Sequence, residues 1–192
     1  CHYYINEKGK IIVMVPDLYI AWHAGKSKWK KLNSLNKHSI GIEISNPGHE
    51  YGYKKFSNKQ LFSLKKILRF LIERYQINLK NVLGHSDISP DRKKDPGEKF
   101  PWKKLAKSKL SYWHNLDEIK LKEKRLIKLN FNEETNFIKN LHKIGYQKTS
   151  KKNFNFQKII LTKAFQRRYR QELINGISDK ECLIISKNLL KS

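Results

Sequence analysis

The apolar and polar residues near the start of the chain follow patterns typical of β-strands. The segment CHYYINEKGKIIVMVP (1–16) has two β-prone runs on either side of the polar stretch NEKGK. Gly9 supplies the backbone freedom of a tight turn, so the pattern predicts a β-hairpin. In HSIGIEIS (38–45), apolar Ile residues alternate with other types, which predicts a strand with one apolar face. The opposite face then presents Ser39, Gly41, Glu43 and Ser45.

A helical period replaces this alternation after Ser57. Ser57 and Gln60 fit a capping box. Apolar residues then recur at helical spacing, at Leu61, Leu64, Leu68, Leu71 and Tyr75. NVLGHSD (81–87) next predicts a short buried strand, and FPWKKLAKSKL (100–110) predicts a closing helix. This order of elements predicts an α/β domain with a mixed central β-sheet flanked by helices.

The pattern changes again after residue 113. Residues 114–132 are rich in charge and have no clear period, which predicts a linker. Beyond them, Ser178 and Glu181 fit a second capping box. The sequence therefore predicts one domain over 1–113 and a small three-helix bundle over 133–192. The predicted helices lie in EETNFIKNLHKIGY, ending at Gly145, in IILTKAFQRRYRQEL, ending near Gly176, and in SDKECLIISKNLL.

Composition adds a strong positive charge to this picture. The 41 Lys and Arg residues against 17 Asp and Glu give a formal net charge of +24. Such a charge favours polyanions: nucleic acid, anionic lipid or an acidic wall polymer. Lys greatly outnumbers Arg, however, and no nucleic-acid-reading motif is recognisable. We interpret the charge as compositional, with a general affinity for polyanions and no specific nucleic-acid site.

The cysteines and the apolar runs of the chain argue against a disulfide-rich protein and against a membrane-spanning one. Cys1 and Cys182 lie at opposite ends and indicate no disulfide framework. The most apolar run, IIVMVPDLYIAW, is interrupted by Pro16 and Asp17, so we expect no transmembrane segment. The chain begins with Cys directly in a strand-like run, and we interpret this start as a truncation.

One loop, GHSDISPDRKKDPGEKFPW (84–102), concentrates candidate chemistry. His85 lies where the predicted strand runs into this loop, and Asp95 lies ten residues further along. Pro90 and the Asp95-Pro96-Gly97 turn restrict the loop, so the carboxylate can fold back beside the imidazole. Such a pair suits zinc, although a hydrolytic zinc normally has three protein ligands and a water. Alternatively, His85 caps a turn and Asp95 starts one.

Glu43 is a second candidate. Its strand face is otherwise made of small groups, which leaves open space around the carboxylate. Such a carboxylate suits a general base. It equally suits a solvated side chain on an edge strand.

Four ordered motifs resemble a known family. HYYI with its following Gly, then AWHAG, SIGIE and GHSDISPDRKKDPGEKFPW are similar to segments of the zinc-dependent N-acetylmuramoyl-L-alanine amidases. The resemblance covers roughly residues 1–113. It implies the fold shared with phage amidase-type lysozymes and peptidoglycan-recognition proteins.

The resemblance also implies residue roles. His85 and Asp95 match the second and third zinc ligands, and Glu43 matches the acid that activates the attacking water. Lys93 matches the basic residue that stabilises the developing oxyanion. Trp22 and His23 match a motif that borders the substrate groove.

One ligand of the family has no counterpart. The family's first zinc ligand is a His on a strand upstream of the HYYI segment, and no residue of this chain occupies that position. His2 matches a different family histidine. We therefore expect either a zinc hydrolase whose first strand was lost by truncation, or a non-catalytic peptidoglycan-binding protein of the same fold.

The C-terminal helices have a resemblance of their own. FIKNLHKIGY and AFQRRYRQELINGISDKE are similar to a peptidoglycan-binding three-helix module. The two resemblances together imply a Zn²⁺ enzyme, expected to be monomeric, that cleaves the bond between N-acetylmuramic acid and L-alanine in peptidoglycan or muropeptides. They favour the periplasm or cell envelope, or the cytoplasm if the enzyme recycles muropeptides.

Overall fold

A computed structural model describes residues 1–148 and 153–191. Its strands are β1 (Tyr3–Ile5), β2 (Ile11–Val13), β3 (Lys28–Trp29), β4 (Leu32–Asn33) and β5 (Ile42–Ile44). Its α-helices are α1 (Asn58–Tyr75), α2 (His85–Ile88), α3 (Trp102–Lys107), α4 (Glu118–Lys122), α5 (Phe131–Ile144), α6 (Phe154–Tyr169) and α7 (Lys180–Lys191).

These elements form two compact units. The second unit contains two segments that the sequence-based division places within 1–113. The first unit comprises Cys1–Ser27, Leu32–Leu83 and Lys99–Tyr112. The second comprises Lys28–Lys31, Gly84–Glu98 and the described part of Trp113–Ser192.

The first unit is built on a mixed sheet in the order β2-β1-β5. β1 and β2 pair antiparallel, with Tyr3 opposite Val13, so the predicted hairpin is confirmed. β1 and β5 pair parallel, with Tyr4 opposite Glu43. Gly9 lies in the hairpin turn at φ +81°, and a Cβ there would lie 2.7 Å from the carbonyl oxygen of Lys59. Both the backbone angle and the space at this turn therefore require glycine.

Helix α1 covers the sheet and begins at the predicted capping box. The Ser57 hydroxyl accepts from the Gln60 amide at 3.2 Å, and the Ser57 amide donates to the Gln60 side chain at 3.0 Å. The buried side chains of the helix join the core of the first unit around Ile5 and Leu105, both fully buried. These helix residues are Leu64, Ile67, Leu68 and Leu71.

The strand predicted over residues 81–87 is wrong. Within the part of the chain that the structure describes, residues 82–84 belong to no strand, and His85 already begins α2. Val82 and Gly84 do have extended dihedral angles. An extended backbone becomes a strand only when a neighbouring strand hydrogen-bonds to it, and an apolar run does not reveal whether that neighbour exists.

The second unit contains the three predicted C-terminal helices, α5, α6 and α7. Its core includes Phe137, Leu141 and Phe165, all fully buried. The Phe137 and Phe165 rings meet edge to face at 5.4 Å. Helix α6 ends at Tyr169, before the predicted end near residue 176, because Arg170 leaves the helix and forms a buried ion pair with Asp179 at 2.7 Å.

The capping box predicted at the start of α7 is wrong. Asp179, and not Ser178, accepts the hydrogen bond from the Cys182 amide at 3.0 Å. Glu181 instead pairs with Arg125 at 2.6 Å. The segment predicted as a linker therefore contacts α7, and it contains α4 with a buried Leu121. Among the described residues, no helix combines the length and apolarity that crossing a membrane requires.

Gly145, which ends α5, gives a stability prediction. It has φ +145°, and a Cβ there would lie 2.5 Å from Cε2 of Trp29. We expect Gly145→Ala to lower the free energy of unfolding by about 3 kcal/mol, from backbone strain and the clash together. Urea unfolding measures this change. Gly52→Ala is the control, since Gly52 has φ +85° with no atom within 4 Å. Equal destabilisation by the two variants would contradict the close contact with Trp29.

Candidate active site

Residues 84–98 form the loop that holds His85, and we call this segment the ligand loop. His85 is the first residue of α2, a helix of one turn. The Gly84 amide donates to the Asp87 carboxylate at 2.8 Å, and the Ser89 amide donates to the His85 carbonyl at 2.9 Å. The backbone on both sides of His85 is therefore fixed by hydrogen bonds.

The ligand loop brings His85 and Asp95 together, as the sequence predicted. Nδ1 of His85 lies 3.1 Å from Oδ2 of Asp95. The Ser86 amide also donates to the Asp95 carbonyl at 2.8 Å, which holds the two arms of the loop side by side. The Asp95 side chain is 58% exposed and the His85 side chain 18%. The pair therefore lies at the surface of the second unit.

Electrostatics favour the ionised carboxylate. Burial alone would raise the pKa of Asp95, but the hydrogen bond and charge of His85 outweigh it, and the charge of Lys93 adds to them. The net result is a pKa below the ordinary value of an aspartate. A metal ligand must be deprotonated, so this direction suits a cation site.

The pair fits part of a zinc site. Imidazole nitrogen and carboxylate oxygen are both zinc donors, and two atoms 3.1 Å apart can each lie about 2.1 Å from one ion. Within residues 1–148 and 153–191, no group of three or more His, Cys, Asp or Glu side chains forms a metal site. The described residues thus bring together two candidate ligands.

Lys93 lies on the same loop. Its amide donates to the Ser89 carbonyl at 2.9 Å, and its side chain is half-buried. Sequence reasoning missed its neighbour Arg92, whose Nη2 lies 3.2 Å from the Ser89 hydroxyl and 3.5 Å from Nε2 of His85. It also missed Asp87, which falls within the strand predicted over residues 81–87 and lies instead in the first turn of α2.

Glu43 belongs to the first unit, where it lies exposed on β5. The end of its strand is anchored twice: the Ser45 amide donates to the Ile5 carbonyl at 2.8 Å, and the Gln60 side chain donates to the Ser45 carbonyl at 2.7 Å. Gln60, the second member of the capping box, therefore also fixes the strand that presents Glu43.

Trp22 and His23 lie in the same unit as Glu43. A Cβ on Gly41 would lie 2.3 Å from Cγ of His23, so the imidazole sits directly against that glycine. Gly41 directly precedes β5, so His23 packs beside the start of the strand that presents Glu43. Trp22 is 83% exposed, so its ring is open to a ligand.

His2 has a structural role in this unit. It is 1% exposed. Its Nδ1 accepts from the Gly41 amide at 3.0 Å, and its Nε2 lies 3.0 Å from the Tyr19 carbonyl. Both ring nitrogens are engaged by the backbone, and His2 thereby holds the loop before Trp22 against β5.

Comparisons with known proteins relate the whole chain to one group of enzymes. The N-acetylmuramoyl-L-alanine amidase family matches residues 1–98. The amidase AmiD of Escherichia coli is 32% identical over 191 residues, which span 97% of this chain and 69% of that protein. The 1,6-anhydro-N-acetylmuramyl-L-alanine amidase AmpD of Escherichia coli is 39% identical over 101 residues, 53% of each chain.

The solved structures agree with the sequence matches. Escherichia coli AmiD, in complex with the substrate anhydro-N-acetylmuramic acid-L-Ala-D-gamma-Glu-L-Lys, superimposes with a TM-score of 0.86 at 30% identity. The match covers 99% of this chain and 78% of AmiD. The likeness to AmiD thus includes the C-terminal helices, whereas the sequence match to AmpD covers about half of this chain.

Proposed function

Because this chain belongs to the N-acetylmuramoyl-L-alanine amidase family, we propose that it hydrolyses the amide bond between N-acetylmuramic acid and L-alanine in muropeptides. The observation that supports this reaction best is the approach of His85 Nδ1 to Asp95 Oδ2 at 3.1 Å on one loop. The pKa of Asp95 lies below its ordinary value because of the hydrogen bond and charge of His85 and the charge of Lys93, which suits the carboxylate to a cation.

His85 and Asp95 would hold a zinc ion through one nitrogen and one oxygen. When bound, zinc supplies a Lewis acid that polarises a carbonyl and makes water a stronger nucleophile at neutral pH. The backbone hydrogen bond from the Ser86 amide to the Asp95 carbonyl holds the two arms of the loop together, and so keeps the His85 and Asp95 side chains close to each other.

Glu43 would act as the general base and Lys93 would stabilise the oxyanion. The Glu43 carboxylate accepts a proton from the attacking water and later returns it to the departing amine of L-alanine. The Lys93 ammonium stabilises the negative charge that develops on the carbonyl oxygen. A half-buried lysine is less screened by water than an exposed one, so its charge acts more strongly.

The substrate that we propose is a muropeptide. AmiD is solved with an anhydro-muramyl tripeptide as its substrate, and the chain covers most of that structure. Trp22 and His23 would border the groove, where the exposed indole offers an apolar face to a sugar ring. Intact peptidoglycan presents the same amide bond and is a second possible source of it.

Helices α5 to α7 would form a peptidoglycan-binding-like domain over 133–192, following the domain of residues 1–113. A wall-binding domain favours the periplasm or cell envelope. A role in muropeptide recycling favours the cytoplasm. We propose a monomer, because the four proposed groups, His85, Asp95, Glu43 and Lys93, all lie on one chain.

The test is zinc-dependent hydrolysis by the full chain. We expect the chain to release anhydro-N-acetylmuramic acid from the anhydro-muramyl tripeptide. Chromatography measures the released product. A chelator should abolish the release, and added Zn²⁺ but not Mg²⁺ should restore it. The free tripeptide, which lacks muramic acid, is the control and should stay intact.

Calorimetry with the same muropeptide distinguishes a zinc hydrolase from a non-catalytic peptidoglycan-binding protein. Binding without cleavage at saturating Zn²⁺ would indicate a non-catalytic peptidoglycan-binding protein. Neither binding nor cleavage would contradict the proposed substrate class.

A further inference from the structure

Asp87 is the most buried acidic side chain of the ligand loop. It is 1% exposed and lies two residues after His85. Its carboxylate accepts from the Gly84 amide at 2.8 Å, from the Tyr146 hydroxyl at 2.7 Å and from Nη1 of Arg168 at 2.7 Å. Three donors thus converge on one buried carboxylate.

The first donor links this carboxylate to the position of His85. Gly84 immediately precedes His85, and its amide would otherwise be an unsatisfied donor at the start of α2. By accepting from Gly84, Asp87 closes the turn from which the imidazole projects. The Ser86 amide, inside the same turn, donates to the Asp95 carbonyl at 2.8 Å. A shift of Asp87 would therefore move both candidate ligands.

The other two donors come from the C-terminal helices. Arg168 lies in the last turn of α6, and its side chain is 3% exposed. Tyr146 follows the end of α5 and is fully buried. Burial and the Asp87 carboxylate raise the pKa of Tyr146 well above the usual tyrosine value, so the hydroxyl remains a donor.

Tyr146 is itself held in place by a third segment. Its ring meets the Trp29 ring edge to face at 5.2 Å. The Lys30 amide donates to the Gly145 carbonyl at 2.8 Å. The tyrosine is therefore held by contacts to its ring and to the carbonyl that precedes it, and its hydroxyl reaches Asp87 at 2.7 Å.

A second buried ion pair in the same unit serves as a comparison for the Arg168–Asp87 pair. Arg170 pairs with Asp179 at 2.7 Å, and its side chain is fully buried. Both arginines lie at the end of α6 and both pairs are desolvated. The Arg170 pair, however, joins the end of α6 to the start of α7, whereas the Arg168 pair reaches the ligand loop.

We propose that Arg168 and Tyr146 are positioning residues that hold His85, through Asp87, in the orientation needed to bind the metal. The metal part of this inference rests on the proposed function. The helices after residue 133 then have a second role besides wall binding: they complete the support of the ligand loop. Partners that orient metal ligands typically change metal affinity by about 10–100-fold when removed.

Matched variants of the full chain test this proposal. Arg168→Met removes the donor to Asp87, and Arg170→Met removes an equally buried cation at the end of the same helix. Amide hydrogen exchange of Gly84 and Ser86 is measured in metal-free protein by NMR. We expect exchange at both amides to accelerate at least about tenfold in Arg168→Met and to stay within about twofold in Arg170→Met.

Zinc affinity is the second readout, measured by competition with a chromophoric chelator. We expect the dissociation constant to rise about 10–100-fold in Arg168→Met and to change little in Arg170→Met. Arg168→Lys should recover part of the affinity, since it restores a cation without the second nitrogen. If the Arg168 and Arg170 variants alter exchange and affinity equally, the effect is general destabilisation and the proposal is wrong.

Tyr146→Phe is a milder variant that still tests the proposal if Arg168→Met does not fold. It removes only the hydroxyl and keeps the ring against Trp29. Faster exchange at Gly84 in this variant would support the proposal, and unchanged exchange would contradict it. If the unchanged chain binds no zinc, the zinc role within the proposed function fails, but exchange at Gly84 and Ser86 still decides the positioning role.

Discussion

A Glu43→Gln variant is expected to hydrolyse the anhydro-muramyl tripeptide about 10²–10⁴-fold more slowly than the unchanged chain. The amide side chain has nearly the shape of the carboxylate but cannot accept a proton from water. Glu43 is exposed on β5, so the substitution should leave the fold intact. Initial rates of anhydro-N-acetylmuramic acid release measure the effect.

Two controls separate a lost base from other causes. Zinc affinity should be unchanged, because Glu43 is not among the candidate ligands. Glu73→Gln makes the same chemical change on the exposed surface of α1 and should cleave at the normal rate. Normal cleavage by Glu43→Gln would exclude Glu43 as the base.

A Lys93→Ala variant is expected to lower turnover by about a hundredfold or more, the usual cost of removing one preorganised donor to a developing oxyanion. The loss should fall on kcat and kcat/KM alike, since the interaction forms in the transition state. Steady-state kinetics with the anhydro-muramyl tripeptide measure both quantities.

Lys94→Ala is the matched control for this variant. It removes the same charge one residue further along, where the side chain is exposed. A general effect of net charge on substrate attraction would slow both variants equally and would fade with added salt. A specific oxyanion role slows Lys93→Ala alone. Equal rates for the two variants would overturn the assignment of Lys93.

Local sequence patterns predicted most elements of the fold. The Ser57–Gln60 capping box, the hairpin turn at Gly9 and the alternating strand around Glu43 all formed as expected. The capping box and the hairpin depend on neighbours within a few residues, whose pattern is visible in the sequence. The strand around Glu43 shows its alternation in the sequence but also needed β1 as its hydrogen-bonded partner. The predictions that failed include a strand over 81–87, a capping box at Ser178 and a helix end near residue 176. At the last two, contacts outside the predicted pattern decided the outcome, since Glu181 pairs with Arg125 and Arg170 pairs with Asp179.

The sequence also predicted part of the candidate site. The approach of His85 to Asp95 followed from the restricted loop of nine residues between them. Asp87 was passed over because residues 81–87 were predicted to be a strand, and nothing in that run marks the acid as a buried partner of distant residues. Its buried environment becomes visible only once Arg168 and Tyr146 are packed against it.

The sequence by itself determined the periodic elements, the ordered motifs and the identity of the residues that can do chemistry. Only the tertiary structure decided which distant groups support them: Asp87 meets Arg168 across 81 positions and Tyr146 across 59. The physical reason is that a buried charge must find its partner wherever packing places one. That choice depends on how whole helices fit together, and no local pattern records it.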